Sequence, residues 1–118
     1  MLANAEFYVA NGQGKLDSLK RYSDWSQTWD FIISGDFGGS SATDLLFYDR
    51  SNGLAEFQAV NTGSLSLLQK YSGWRKTWSA IVPGNFGGSL FTDLLLYDRT
   101  NGEAEFRTIN GGNRLVGE

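Results

Sequence analysis

The stretch GDFGGSSATDLLFYDR at Gly35–Arg50 returns as GNFGGSLFTDLLLYDR at Gly84–Arg99. Aligned at an offset of 49 residues, Trp25–Phe57 and Trp74–Phe106 are identical at 21 of 33 positions. Self-similarity at such a period means that one supersecondary unit recurs, because each unit buries its apolar face only against a neighbour. The likeness extends outward: YSDW at Tyr22–Trp25 answers YSGW at Tyr71–Trp74. AEFYVANGQGKL from Ala5 answers AEFQAVNTGSL from Ala55 with one extra residue, and AEFRTINGG from Ala104 opens a further copy. The 118 residues therefore hold about 2.4 units.

Each unit reads as four short strands. DLLFYDR, Asp44–Arg50 (strand a), is rich in strand formers and ends at Ser51-Asn52-Gly53, a turn signal repeated at Asn101-Gly102. In AEFQAV, Ala55–Val60 (strand b), Ala55, Phe57 and Ala59 share one face while Glu56 and Gln58 share the other. LSLLQKY, Leu65–Tyr71 (strand c), and WSAIVPG, Trp78–Gly84 (strand d), complete the set, with Pro83 suited to a strand end. A helix over LDSLKRY or LSLLQKY competes, but about seven residues between glycines are too few to stand alone as a helix. The expected fold is all-β, with propeller blades of four antiparallel strands and about 49 residues each.

This places a partial blade (strands b, c and d) at residues 1–34, a complete blade at 35–83, and a partial blade (strands a and b) at 84–118. Blades need neighbours on both faces, so the ring is expected to close through other copies, strand a of one chain completing the b-c-d set of the next. Three chains then make a six-bladed ring, and two chains a five-bladed one; the trimer is preferred.

Composition narrows the function. A net charge of −3 argues against nucleic acid, which demands a basic footprint. No apolar run approaches the roughly 18 residues of a membrane span, and MLANAEFYVA lacks the basic start and apolar core of a signal peptide. With neither Cys nor His, disulfides, thiolate metal sites and Ser-His-Asp or Cys-His catalysis cannot be built. Glu56 and Glu105, the carboxylates a glycosidase would need, occupy one repeated position, so no enzyme is expected.

GDFGGSSATDLL and GNFGGSLFTDLL resemble the FG-GAP/VCBS class of propeller repeats. The resemblance implies a calcium-binding loop of the form Asp-x-Asp/Asn-x-Asp-Gly before an Asp-Leu strand. Asp36 and Asp44 match its ends in one copy, Asn85 and Asp93 in the other, while Gly38, Ser40, Gly87 and Ser89 stand where further carboxylates belong. Calcium favours six or more oxygens, so these loops are depleted as calcium sites. The competing role for Asp44 and Asp93 is structural, their carboxylates accepting N–H groups of the glycine-rich loop.

Repeats of this length also resemble lectin propellers of the tachylectin-like and fungal fucose-binding types, in which sugar pockets recur between blades. That resemblance implies carbohydrate binding by an aromatic platform and convergent polar groups. Candidates are Trp25 and Trp74, Tyr22 and Tyr71, Arg50 and Arg99, and Arg75 with its neighbour Lys76. Ser26 and Gln27 stand where the second copy has Arg75 and Lys76, so the two positions need not be equal. Core packing competes for the tryptophans, above all for Trp29 and Trp78 in strand d. Pairing with Asp49, Asp98, Glu56 or Glu105 competes for Arg50 and Arg99. The remaining alternatives are a purely architectural propeller piece, natural or engineered, that self-assembles without a ligand, and a calcium-binding interaction module.

Overall fold

The computed structural model describes residues 2–10, 12–38, 43–87, 91–109 and 115–116. Every regular element in it is a strand: β1 (Leu2–Ala10), β2 (Leu16–Ser26), β3 (Phe31–Gly35), β4 (Asp44–Asp49), β5 (Leu54–Asn61), β6 (Ser64–Tyr71), β7 (Ala80–Gly84), β8 (Asp93–Asp98), β9 (Glu103–Ile109) and β10 (Leu115–Val116). All pairings are antiparallel, in a two-stranded sheet β1-β2 and two four-stranded sheets, β3-β4-β5-β6 and β7-β8-β9-β10. The 49-residue offset carries the start of β3 onto that of β7, β4 onto β8 and β5 onto β9, so one sequence unit builds one sheet pattern twice. No helix among the described residues is long and apolar enough to cross a membrane.

The sheets are cut differently from the expected a-b-c-d blade. Strand d opens a sheet instead of closing one: β7 pairs with β8 from Ala80↔Tyr97 to Gly84↔Asp93, and β3 pairs with β4 in the same way. The complete central unit therefore runs over 31–71, not 35–83. β3 serves the central sheet and leaves only β1 and β2 in the first, correcting the b-c-d set at 1–34. β8, expected to be lent to another chain, is paired on both sides within its own sheet. The cause lies in the two eight-residue connections, 72–79 and 85–92. Gly87 N–H donates to the Asp93 carboxylate at 2.7 Å, which ties the start of the second connection to the strand that follows it. The first is clamped to both sheets, as described below, and crosses between them. Pro83 then lies on the edge strand β7, where its missing N–H costs no ladder bond.

The sheets pack face to face. On β4 and β5, Leu46, Tyr48, Ala55 and Phe57 share one face and are buried with Phe37, Trp78, Ile81, Leu94 and Leu96 between the central and C-terminal sheets. Phe47 points the other way, 5.0 Å from the Trp25 ring and 5.2 Å from that of Trp29. β4 is thus sealed on both faces, which explains its continuous apolar run. The inner edges meet at β3 and β7. There Asp36 N–H donates to Thr92 Oγ1 at 2.8 Å and Thr92 N–H donates to the Asp36 carbonyl at 3.1 Å. The N-terminal hairpin is tied in by the Tyr22 hydroxyl, which donates to the Gly63 carbonyl at 2.7 Å.

The Asn-Gly turns use positive φ only at the glycines, Gly53 (70°) and Gly102 (72°), inside four-residue connections. Gly53 is doubly constrained. Trp74 N–H donates to its carbonyl at 3.0 Å, and a Cβ there would lie 2.4 Å from the Trp74 carbonyl oxygen, whereas a Cβ on Gly102 meets nothing within 4 Å. Gly102→Ala should therefore cost about 1 kcal/mol of φ strain, roughly 4 °C in Tm. Gly53→Ala should lower Tm distinctly further, because the crossing segment must move. Equal losses in thermal melts would contradict the close approach.

Candidate functional site

The crossing segment 72–79 is held by the buried Asp98, and its equivalent Asp49 holds the connection one repeat earlier. In the C-terminal sheet Asp98 is fully buried; its carboxylate accepts from Thr77 Oγ1, from Thr100 N–H at 2.9 Å and from Arg75 at 3.1 Å. One repeat earlier Asp49 accepts from Thr28 Oγ1 at 2.6 Å and from the N–H (3.0 Å) and hydroxyl (2.6 Å) of Ser51. The Tyr48 hydroxyl, which donates to the Arg75 carbonyl, completes the clamp from the central sheet. Each Asp-Arg pair at a hairpin turn thus uses its aspartate inward. Arg50 and Arg99 do not pair with Asp49, Asp98, Glu56 or Glu105 among the interactions seen.

Between the central and C-terminal sheets lies a cavity of about 340 Å³ under this segment. Tyr71, Trp74 and Trp78 supply its aromatic surface, Leu96 its apolar floor, and Arg75, Glu105 and Arg107 its polar groups. The Tyr71 and Trp74 rings are 5.9 Å apart. Arg75 is fixed: its guanidinium stacks 4.5 Å from the Trp78 ring and bonds to Asp98 and, at 2.7 Å, to Glu103. Arg107 is held by Glu105 at 3.1 Å. Rigid donors, a carboxylate and aromatic faces in one concavity suit a small polyhydroxylated ligand.

The same location one repeat earlier is filled. Phe47 stands where the second copy has Leu96, and its ring wedges between Trp25 and Trp29. Ser26 and Gln58 replace Arg75 and Arg107. Of the sequence candidates, the fold brings Tyr71, Trp74 and Arg75 together at the cavity. It places Tyr22 and Trp25 in an aromatic cluster with Phe7 and Phe47. Arg50 and Arg99 lie elsewhere, on the other flank of the crossing segment. Sequence reasoning missed Leu96, Glu105 and Arg107 as lining residues and assigned Trp78 to the core; Trp78 is in fact buried and also lines the cavity. For Leu96 and Arg107 the usable signal was that the two copies differ there, whereas Glu105 repeats Glu56 and offered none.

Asp44 and Asp93 take the structural role. Both are buried, and Asp44 accepts from Gly38 N–H at 2.8 Å and Val60 N–H at 3.3 Å, while Asp93 accepts from Gly87 N–H. Asp36 engages Thr92 through its backbone. No group of three or more acidic side chains gathers among the described residues. Ser40 and Ser89 lie outside the described residues.

Burial pushes the Asp49 carboxyl up, but the bonds from Ser51 and Thr28 outweigh it and hold its pKa below the ordinary 3.8. For Asp98 the Thr77 bond leads, burial opposes, and Arg75 adds to the lowering. Both groups bind protons more weakly folded than unfolded, so their stabilisation is complete above the unfolded value near 3.8 and lost as pH falls through the lower folded values. Tm should fall on acidification below that point, and the double variant Asp49→Asn, Asp98→Asn should be less stable at neutral pH with a flatter acid limb. An unchanged acid limb in melts from pH 2 to 7 would remove these two groups as its cause.

No family model matches the sequence, and no curated protein and no solved structure matches the chain.

Proposed function

We propose that this chain is a non-enzymatic, carbohydrate-binding β-propeller module of the FG-GAP/VCBS-like kind, and that the cavity beneath Trp74 takes a sugar ring. The observation that carries the reading is the convergence of Tyr71, Trp74 and Trp78 with the held charges of Arg75, Glu105 and Arg107 in one inter-sheet cavity. The apolar face of a pyranose stacks on an aromatic ring, and its hydroxyls bond to a guanidinium and a carboxylate that need no reorganisation. Glu105 is occupied by Arg107 and serves binding, not proton transfer.

The propeller reading rests on stacked antiparallel sheets of one repeating pattern and on an uncovered face. Phe37, Tyr48 and Phe57 are at most 1% exposed, whereas their equivalents Phe86, Tyr97 and Phe106 are 46%, 38% and 50% exposed. A further blade belongs on that face. Neighbouring copies of this chain would supply it, three copies of two four-stranded sheets giving six blades and two copies a smaller ring. Several weak sites would then act together through avidity.

An architectural role without ligand is favoured at one place, the packed cluster around Trp25. Calcium is the weaker proposal, because Asp44 and Asp93 already serve loop N–H groups.

Light scattering over a range of concentrations should give the mass of three chains, or of two for the smaller ring; a folded monomer would remove the ring. In a glycan array followed by calorimetry, the protein should bind one glycan class. Leu96→Phe, which copies the filled position, should weaken that binding at least about tenfold while costing no more than about 1–3 kcal/mol of stability. Trp25→Ala should lower stability by about 3 kcal/mol or more. No glycan bound at high protein concentration would leave the architectural reading standing.

A further inference from the structure

On the flank of the crossing segment opposite Trp74, a second cavity of about 240 Å³ is lined by Arg50, Lys76, Thr77, Ser79, Arg99 and Thr100. Three cations and three hydroxyls meet there with no carboxylate in the lining, in a chain whose net charge is −3. The equivalent location one repeat earlier is mixed in charge, with Asp30, Asp49 and Arg50 in its lining. It is lined by Gln27 and Asp30 where the second has Lys76 and Ser79, and the Asp30 carboxylate accepts the N–H of Arg50. In the second copy Ser79 Oγ takes over that bond, accepting Arg99 N–H at 2.9 Å, so the turn keeps its partner without an anion.

The charges are placed as well as gathered. Arg50 reaches across from the preceding sheet, donates to the Trp78 carbonyl at 3.1 Å and lies 5.7 Å from the Phe31 ring, which fixes one guanidinium at the rim. The Lys76 ammonium and the Arg99 guanidinium have no protein partner among the described residues. The nearby carboxylates are already bonded, Asp98 as the buried partner of two lining residues. Asp98 serves Thr77, Thr100 and Arg75, and Asp30 serves the Arg50 backbone.

We infer that this cavity is an oxoanion site, formed by Arg50, Lys76 and Arg99, for a sulfate or phosphate group. A tetrahedral oxoanion offers several acceptor oxygens, which match a forked guanidinium and a mobile ammonium. The inference stands apart from the carbohydrate reading, since it concerns other residues and an inorganic probe tests it. The group is either a free anion or a substituent on a larger ligand.

The test is an amide-shift NMR titration with sodium sulfate and with sodium phosphate, sodium chloride holding ionic strength constant. Saturable shifts are expected at Lys76, Ser79, Arg99 and Thr100, with millimolar affinity for the bare ion. The double variant Lys76→Gln, Ser79→Asp installs the residues of the first repeat and should weaken binding at least about tenfold. Lys76→Gln alone should weaken it less, and it serves if the double variant does not fold. Linear shifts that never saturate, or saturable shifts indifferent to Lys76→Gln, would overturn the site as an adventitious ion only. A sulfated monosaccharide that binds more tightly than sulfate, through the same four amides, supports the site and assigns the anion to a glycan. Equal binding of sugar-borne and bare anion supports the site with the free ion as its ligand.

Discussion

The Asp98 carboxylate, buried at a hairpin turn, holds the segment that joins two sheets. Thr77, Arg75 and Thr100 all converge on it. Without that anchor, residues 72–79 would be an ordinary eight-residue connection, free to fold back on the sheet they left. With it, and with Tyr48 and Gly53 gripping Arg75 and Trp74 from the other side, the segment crosses between sheets. Burying a charge is tolerated because its oxygens are matched by donors that the repeat itself supplies. Asp49 and Thr28 restate the arrangement one unit earlier, which makes the latch a property of the repeat.

Stacking follows from this latch, and stacking gives identical residues different fates. Tyr48 and Tyr97 occupy the same place in the unit, yet one is sealed and the other open. The difference is not in their own sequence. It lies in whether another sheet covers the face they share, since a sheet with two apolar faces stays half solvated until both are packed.

Both cavities flank the crossing segment, and both arise where the copies diverge. Replacing the ring of Phe47 by the smaller Leu96 leaves room between tryptophans, and Arg75 and Arg107 then furnish that room with charge. Exchanging Gln27 and Asp30 for Lys76 and Ser79 turns a mixed rim cationic. The repeated residues supply the scaffold and much of each lining, and the unrepeated ones decide which copy is open and how it is charged. Of the candidates chosen for recurrence, Trp25 and Tyr22 therefore lie in an aromatic cluster while Trp74 and Tyr71 line a cavity.

The strands, their antiparallel hairpins, the glycine positions and the inward face of Ala55 and Phe57 were legible in the sequence, because alternation and turn chemistry act over a few residues. So was the loop-capping role of Asp44, an interaction spanning six residues. Which sheet strand d joins was not legible. Both of its flanking connections are eight residues long, and the choice depends on Thr77 finding Asp98 and Tyr48 finding the Arg75 carbonyl, pairs 21 and 27 residues apart. The meeting of Arg50 with Lys76 and Arg99 is of the same kind. The sequence alone determined a repeating antiparallel sheet unit. Only the tertiary structure decided where one sheet ends and which side chains share a cavity, because those outcomes rest on contacts between sheets that no local pattern encodes.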